Sequence, residues 1–248
     1  MLELDRAALR MKEVLGLEAE PVAVYLLGPG DHRADASFIQ ASGHRYCQAL
    51  MRARRGERIL LTSQDLTCPA AAAAFGFRPL PEGLANGKGL VGFGIVEDAA
   101  TGRAMFDAMP RIEAGHVTAI AVAPLASATT LPDVIVVEGR PDALMWLALA
   151  DLNVARGMRR RGDTAVLQAT CVDATIIPHL EQRLNFSLGC YGCREATDLE
   201  PGEAVIGFPG SRLEPLLDAL DHLAAKAIPR SRARAAFMNL QRKDAGHE

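Results

Sequence analysis

Two cysteines lie close together near residue 190, in the stretch Leu188-Gly189-Cys190-Tyr191-Gly192-Cys193-Arg194. Two thiols with two residues between them can form a reversible disulfide or bind a soft metal. The glycines at 189 and 192 free the backbone to take positive φ, so that amides and thiolates can approach a bound group closely. This stretch is therefore the first candidate for chemistry.

Three further cysteines, Cys47, Cys68 and Cys171, bring the total to five. An odd number cannot be fully paired in disulfides, and thiols of a chain in a reducing compartment are more often free, catalytic or metal-bound. Cys68 precedes Pro69, and proline is typical of the first turn of a helix, so we expect Cys68 at or beside an N-cap. A helix N-terminus stabilises a thiolate. The competing interpretation is that the cysteines are small, buried, apolar residues.

Composition excludes several classes of function. The chain has 248 residues and is 49% hydrophobic, which is enough for a large buried core. Its formal net charge of −3 provides no general basic surface for nucleic acid. The first residues are amphipathic and charged, and no apolar run is as long as a membrane-spanning helix. We expect a cytoplasmic protein that binds neither nucleic acid nor membrane.

The hydrophobic pattern alternates between strand-like and helix-like segments, as in α/β proteins. Residues 78–90, rich in proline and glycine, are predicted to be a loop. The predicted strands are 21–27, 58–63, 90–95, 117–123, 131–139, 165–169 and 184–188. The predicted helices are 2–17, 46–55, 99–109 and 211–226, with two more that begin at Pro69 and Pro141.

These elements follow one another in a similar order twice. The strand Pro21–Leu27 resembles Pro132–Glu138, and each is followed by a pair of cysteines at similar spacing. The run Val91-Gly92-Phe93 corresponds to Ile206-Gly207-Phe208, with a helical run after each. We interpret this as an internal duplication, although weak self-similarity in an α/β chain also arises by chance.

The duplication predicts the architecture. We expect an α/β fold of two halves with mixed sheets, related by a pseudo-two-fold axis: residues 1–128 and 129–228, followed by a basic tail at 229–248. Equivalent positions of the two halves would then bring four cysteines to one site: Cys47, Cys68, Cys171 and Cys190.

Several motifs together resemble a known family. They include Arg45-Tyr46-Cys47, Cys68-Pro69-Ala70-Ala71, Val122-Ala123-Pro124-Leu125, Ala169-Thr170-Cys171 and Ser187-Leu188-Gly189-Cys190-Tyr191-Gly192-Cys193-Arg194. From about Glu13 to Ala227 the chain resembles the prokaryotic family catalogued as domain of unknown function 169. The resemblance brings no agreed reaction. It implies that the cysteines are a recurring set in a prokaryotic, non-secreted protein, with Cys193 the least regular of them.

An iron–sulfur cluster or another soft-metal centre is the first hypothesis, because thiolates select such centres and a cluster commonly takes four cysteine ligands. Amides near Gly189 and Gly192 would hydrogen-bond the cluster sulfurs, and Arg194 would offset thiolate charge. Zinc, or no metal, is the alternative. The compact C-x2-C-x2-C run of ferredoxins is absent, and the single C-x-x-C motif lacks the second one that a structural zinc ribbon would have. The ligands would come from Cys47, Cys68, Cys171 and Cys190, with Cys193 replacing one of them or supporting the others.

Two other hypotheses stay open. In the first, Cys190 and Cys193 form a reversible disulfide, with the more exposed thiol acidified by a helix N-terminus. In the second, the two halves enclose a small molecule without redox chemistry. The expected partner is accordingly a redox protein or a small molecule. The sequence does not indicate a reaction, and no phosphate-binding or nucleophile-elbow motif is present.

Overall fold

One seven-stranded mixed sheet organises the chain, and helices cover both of its faces. The computed structural model describes residues 3–165 and 167–244. Within these residues the strands are β1 (Val22–Leu27), β2 (Ile39–Gln40), β3 (Ile59–Thr62), β4 (Ala119–Pro124), β5 (Val134–Gly139), β6 (Asn185–Ser187) and β7 (Ala204–Pro209). Their order across the sheet is β2-β3-β4-β1-β5-β7-β6. Neighbours are antiparallel except for the parallel β2–β3 pair. The predicted mixed α/β class is confirmed.

Helices connect most of the strands. They are α1 (Leu4–Leu15), α2 (Tyr46–Ala53), α3 (Pro69–Ala74), α4 (Glu82–Ala85), α5 (Lys88–Gly92), α6 (Ala99–Asp107), α7 (Pro141–Val154), α8 (Ile177–Glu181), α9 (Tyr191–Ala196), α10 (Leu213–Ala225) and α11 (Ala227–Asp244). A π-helix over Ala169–Ile176 runs directly into α8. None of the helices in the described part of the chain has the length and apolar character needed to cross a membrane.

The two faces of the sheet bury different helices. Side chains alternate along β1, so that Val22 and Val24 belong to one apolar core, and Ala23 and Tyr25 belong to the other. Helices α1, α7 and α10 pack on the Tyr25 side. Helices α2 and α3 and the π-helix pack on the Val24 side. All elements that carry cysteines lie on this second side or at its edge.

The segment between residues 78 and 95 differs from its predicted loop and strand. Helices α4 and α5 occupy it, so the strand predicted over 90–95 is wrong. Gly87 at φ +79° precedes α5, and Gly94 at φ +69° follows it. These two left-handed residues turn the backbone at both ends of a short helix, which a strand cannot accommodate. Leu90 is buried on the inner side of this helix.

The strand predicted over 165–169 is also wrong. Gln168 has φ +60° and Ala169 begins the π-helix, so an extended backbone ends before these positions. Residue 166, which belongs to the same predicted strand, lies outside the described residues. The strand predicted over 184–188 is confirmed as β6.

Apart from the edge strand β2, the strand order is symmetric about the antiparallel β1–β5 pair. Strands β4 and β7 flank this pair, with β3 and β6 outside them. The predicted correspondence of Val91–Phe93 with Ile206–Phe208 is wrong, because the first run ends α5 whereas the second lies in β7. The strand that stands opposite β7 in the order is β4. Strands β1 to β4 come from the predicted range 1–128 and β5 to β7 from 129–228, and all of them belong to one sheet.

Candidate functional site

All five cysteines line one cavity of about 640 Å³. They come from four separate segments of the chain. Cys47 lies in the first turn of α2, Cys68 precedes α3, Cys171 lies in the π-helix, and Cys190 and Cys193 lie at the start of α9. Cys68 is partly exposed and the other four are buried. The structure thus brings together all five cysteines that the sequence analysis predicted as metal ligands.

The two cysteines at the start of α9 are in direct sulfur–sulfur contact. Cys190 is the N-cap, and its Sγ accepts a hydrogen bond of 3.1 Å from the amide of Cys193. The Sγ of Cys190 donates to the Sγ of Cys193 at 2.9 Å, which is well beyond the roughly 2.05 Å of a disulfide bond. Cys193 also hydrogen-bonds Cys47 and lies 3.4 Å from the Oγ1 of Thr170. The five cysteines are free thiols.

The environment favours protonated thiols. The hydrogen bond from Cys190 lowers the pKa of the Cys193 thiol, but the bond to Cys47 and burial outweigh it and raise this pKa to about 12. The bond that Cys190 donates to Cys193, together with burial, raises the pKa of Cys190 well above its usual range. Burial does the same for the pKa of Cys171. The sequence-based expectation of an acidified thiol in the Cys190/Cys193 pair is therefore wrong.

Local backbone rules explain how the cysteines of α3 and α9 are placed. Pro69 occupies the first turn of α3, so Cys68 is its N-cap as predicted. Gly189 has φ +81°, and a Cβ there would lie 2.9 Å from Leu199. The predicted positive φ is therefore confirmed for Gly189. It is wrong for Gly192, which lies inside α9 with ordinary helical φ.

Arg194 connects the backbone segments on either side of α9. Its guanidinium donates hydrogen bonds to the carbonyl oxygens of Leu188, Glu200 and Glu203. These bonds tie the approach to Cys190 to the approach to β7. Arg194 lines an outer groove rather than the cysteine cavity, so the charge offset predicted for it stays a prediction.

A buried hydrogen-bond chain, which no sequence motif indicated, connects α2 to the π-helix. The hydroxyl of Thr175 donates to the carbonyl of Thr170 at 2.7 Å, and it accepts from the Tyr46 hydroxyl at 2.8 Å. Thr170 in turn contacts Cys193. Tyr46 is 1% exposed, and this burial raises the pKa of its phenol. The chain thereby fixes the residue before Cys47 against the helix that carries Cys171.

Apolar side chains form another part of the cavity lining, here called the apolar wall. It comes from α5 and α6, from residues close to them, and from Leu167, and its members are Leu84, Leu90, Phe93, Ile95, Phe106 and Leu167. The sequence interpretation missed this wall because it treated 78–95 as a loop and a strand. A helical period in the apolar residues of that segment was the only available signal, and four glycines between 83 and 92 obscured it.

No three His, Cys, Asp or Glu side chains in residues 3–165 and 167–244 are arranged to hold one metal ion. The cysteines share a cavity without converging on one point. A single-ion centre such as zinc in a Cys₄ set therefore fits the observed side-chain positions poorly.

The fold and the site define a mixed α/β protein with a cavity lined by five free cysteines. Residues 10–219 match the family of domain of unknown function 169, described as "Uncharacterised ArCR". The chain belongs to this family, as its motifs indicated. It is 30% identical over 222 residues to "Uncharacterized protein MJ0308" of Methanocaldococcus jannaschii, covering 89% of this chain and 94% of that protein. No solved structure matches the chain.

Proposed function

We propose that the protein binds an iron–sulfur cluster through its cysteines and has a redox or cofactor-related role. The observation that carries this proposal is the presence of all five cysteines on the wall of one cavity. Sulfur-only donor sets select iron–sulfur clusters, zinc and copper(I) over hard cations. A bound cluster would supply one-electron transfer at this position.

The donor set favours a cluster over a single ion. Ligands of a cluster bind different irons, so their sulfurs stand farther apart than the sulfurs around one ion. Four separate segments supply the thiols, and within the described residues no three His, Cys, Asp or Glu side chains are placed to hold one metal ion. The thiols now hydrogen-bond one another, and rotation about Cα–Cβ bonds would be needed for them to act as thiolate ligands. Cys47, Cys68, Cys171 and Cys190 are the proposed ligands, with Cys193 replacing one or supporting them.

The experiment that tests the cluster is anaerobic purification and reconstitution, followed by visible absorption and iron and sulfide analysis. The expected result is a coloured protein that holds about two or four irons per chain. A colourless protein without iron after reconstitution contradicts the proposal. A protein that holds only zinc would contradict the cluster but support a cysteine-ligated metal site.

Single Cys→Ser variants distinguish ligands from neighbours. Serine at position 190 still accepts the N-cap hydrogen bond, so Cys190→Ser preserves the start of α9. Cys47→Ser, Cys68→Ser, Cys171→Ser and Cys190→Ser should each lose most of the iron. Cys193→Ser is the matched control and should keep it. Iron lost from Cys193→Ser but kept by one of the other four variants would give that ligand position to Cys193, and undiminished iron in all five variants would exclude cysteine ligation.

A thiol–disulfide function is the second candidate, and the 2.9 Å separation of the Cys190 and Cys193 sulfurs favours it. An added oxidant such as glutathione disulfide would accept two electrons and two protons as the S–S bond forms. Their raised pKa values make both thiols slow nucleophiles at neutral pH. A thiol count that does not fall after mild oxidation would exclude this candidate.

We infer that the chain arose by an internal duplication. The symmetric strand order supports this, since β1, β3 and β4 stand opposite β5, β6 and β7. The N-caps Cys68 and Cys190 follow β3 and β6 respectively. In an experimental structure, β1, β3 and β4 should superpose on β5, β6 and β7 respectively, with the same strand directions. A superposition that reverses any strand would contradict the duplication.

We also propose a cytoplasmic location and a small-molecule or redox-protein partner, without nucleic acid or membrane. Five free thiols in one chain suit a reducing compartment. Fractionation of the native cells should recover the protein in the soluble cytoplasmic fraction. Recovery from the cell envelope would contradict this location.

A further inference from the structure

The cysteines account for only part of the cavity lining. At about 640 Å³, it lies within the roughly 300–1,000 Å³ typical of pockets for small organic ligands. The lining also includes the apolar wall defined above, contributed largely by the segment between residues 84 and 106. Leu90 and Phe106 are buried in this wall, whereas Phe93 at its edge is 74% exposed. The wall provides a surface against which an apolar or aromatic body can pack.

One positive charge lies at the cavity. Arg45 is the N-cap residue of α2, and its Nη1 donates to the carbonyl of Gly192 at 3.2 Å. Within residues 3–165 and 167–244, Arg45 forms no ion pair with a carboxylate. Its other guanidinium N–H groups are therefore available for an anionic oxygen. Glu195, the acidic residue of the lining, interacts with the Tyr191 hydroxyl.

We propose that this cavity binds a small organic anion, with its apolar body between the thiols and the apolar wall and its acidic group at Arg45. The proposal goes beyond the cluster, because it depends on Arg45 and on the apolar wall rather than on the cysteines. An apolar body gains free energy from the area that the wall removes from water. A carboxylate or sulfonate gains charge-assisted hydrogen bonds from the guanidinium.

The test uses the full chain, both as purified and after anaerobic reconstitution with iron and sulfide. The probe is anilinonaphthalene sulfonate, an aromatic sulfonate whose fluorescence rises in apolar surroundings. The competitors are phenylbutyrate and phenylbutanol, which share an apolar body and differ in charge. We expect one saturable site from which phenylbutyrate displaces the probe about tenfold more effectively than phenylbutanol, in line with one charged hydrogen bond.

Variants separate the charge from the apolar wall. Arg45→Gln should abolish the difference between the two competitors, whereas Arg103→Gln, at an exposed arginine paired with Asp107, should keep it. Ala70→Phe places a ring into the cavity and should abolish probe binding. Because this ring could also disturb folding, Phe93→Ser at an exposed position tests the wall independently and should weaken binding. Phe237→Ser, at an exposed phenylalanine of α11, is its control.

Two results would overturn the proposal: equal displacement by the acid and the alcohol, or binding that Phe93→Ser and Arg45→Gln leave unchanged. The iron analysis is a separate readout. A protein that takes up iron but does not bind the probe would support the cluster and contradict the proposed organic-anion site. A protein that never takes up iron, but binds the probe with these variant effects, would support the organic-anion site and contradict the cluster.

Discussion

Asp65 is a buried carboxylate in the turn that leads from β3 towards Cys68. One of its oxygens accepts from the amide and hydroxyl of Thr62 and from the amide group of Gln40, and the other accepts from the hydroxyl of Ser42. Burial favours the neutral acid, but the hydrogen bonds outweigh it and lower the pKa of Asp65 to about 2. This side chain therefore stabilises the turn mainly as an anion.

We predict that Asp65→Asn lowers the free energy of unfolding by about 2 kcal/mol at pH 7, from the lowered pKa. Because the folded pKa lies below the unfolded one, the stabilisation is present above about pH 4 and is lost as the pH falls towards about 2. Urea denaturation at pH 7 and at lower pH measures it, and the gap between variant and wild type should narrow on acidification. Asp107→Asn, at an exposed carboxylate of α6, is the control. A gap that does not change with pH would contradict the assigned role.

Individual residues were predictable from sequence where a local backbone rule applies. Pro69 indicated the start of α3 and hence the position of Cys68. Gly189 indicated a left-handed turn before Cys190. The partners of Arg194 were not predictable, because its hydrogen bonds go to carbonyl oxygens that the fold brings near it. Its charge near two cysteines suggested that it offsets thiolate charge, whereas the structure shows that its guanidinium hydrogen-bonds three backbone carbonyl groups.

The π-helix is the element that the sequence could not predict. Its hydrogen bonds span one residue more than those of an α-helix, and no composition marks them. The segment Ala169–Ile176 combines small and β-branched residues, which is equally typical of a strand. The Thr175 hydroxyl completes the element from within by bonding the Thr170 carbonyl. Such elements are frequent at functional sites, in agreement with the position of Cys171.

A double-mutant cycle tests how α2 and the π-helix are connected. Thr175→Val keeps the shape of the side chain but leaves the Tyr46 hydroxyl and the Thr170 carbonyl without this partner. We expect a loss of about 1–3 kcal/mol in the free energy of unfolding for a buried unsatisfied group. Tyr46→Phe removes the second hydroxyl and should cost about 1 kcal/mol. The double variant should be less destabilised than the sum of the two, by about 0.5 kcal/mol or more.

Urea denaturation of the four proteins measures this coupling. Tyr25→Phe provides a matched control, because the Tyr25 hydroxyl donates to the Thr130 carbonyl on the other side of the sheet. Its effect should add to that of Thr175→Val without coupling. Strict additivity of Tyr46→Phe and Thr175→Val would show that the two hydroxyls do not act as a pair.

At the scale of the whole molecule, the N-terminal and C-terminal halves of the chain pack against each other. Strands β1 and β5 pair at the middle of the sheet, with Val22 opposite Val136 and Val24 opposite Val134. Helix α1 packs against α7 and α10 in one apolar core, and Arg10 of α1 forms an ion pair with Asp221 of α10 at 2.6 Å. Strands from both predicted ranges, 1–128 and 129–228, belong to this one sheet. Their merger into one sheet depends on pairing between distant segments, which local patterns do not encode.

The shared sheet makes a prediction about fragments. Residues 1–128 and 129–248, expressed separately, should each fail to fold, because each would expose one edge of the β1–β5 pair and its part of both cores. Mixed after refolding from urea, the two fragments should associate and recover the circular dichroism and size of the intact chain. The cysteine cavity gives an independent readout, since residues 47 and 68 belong to one fragment and 171, 190 and 193 to the other. Iron uptake should therefore require both fragments together. A fragment that folds cooperatively alone and binds iron alone would show that one half is sufficient for the fold and the site.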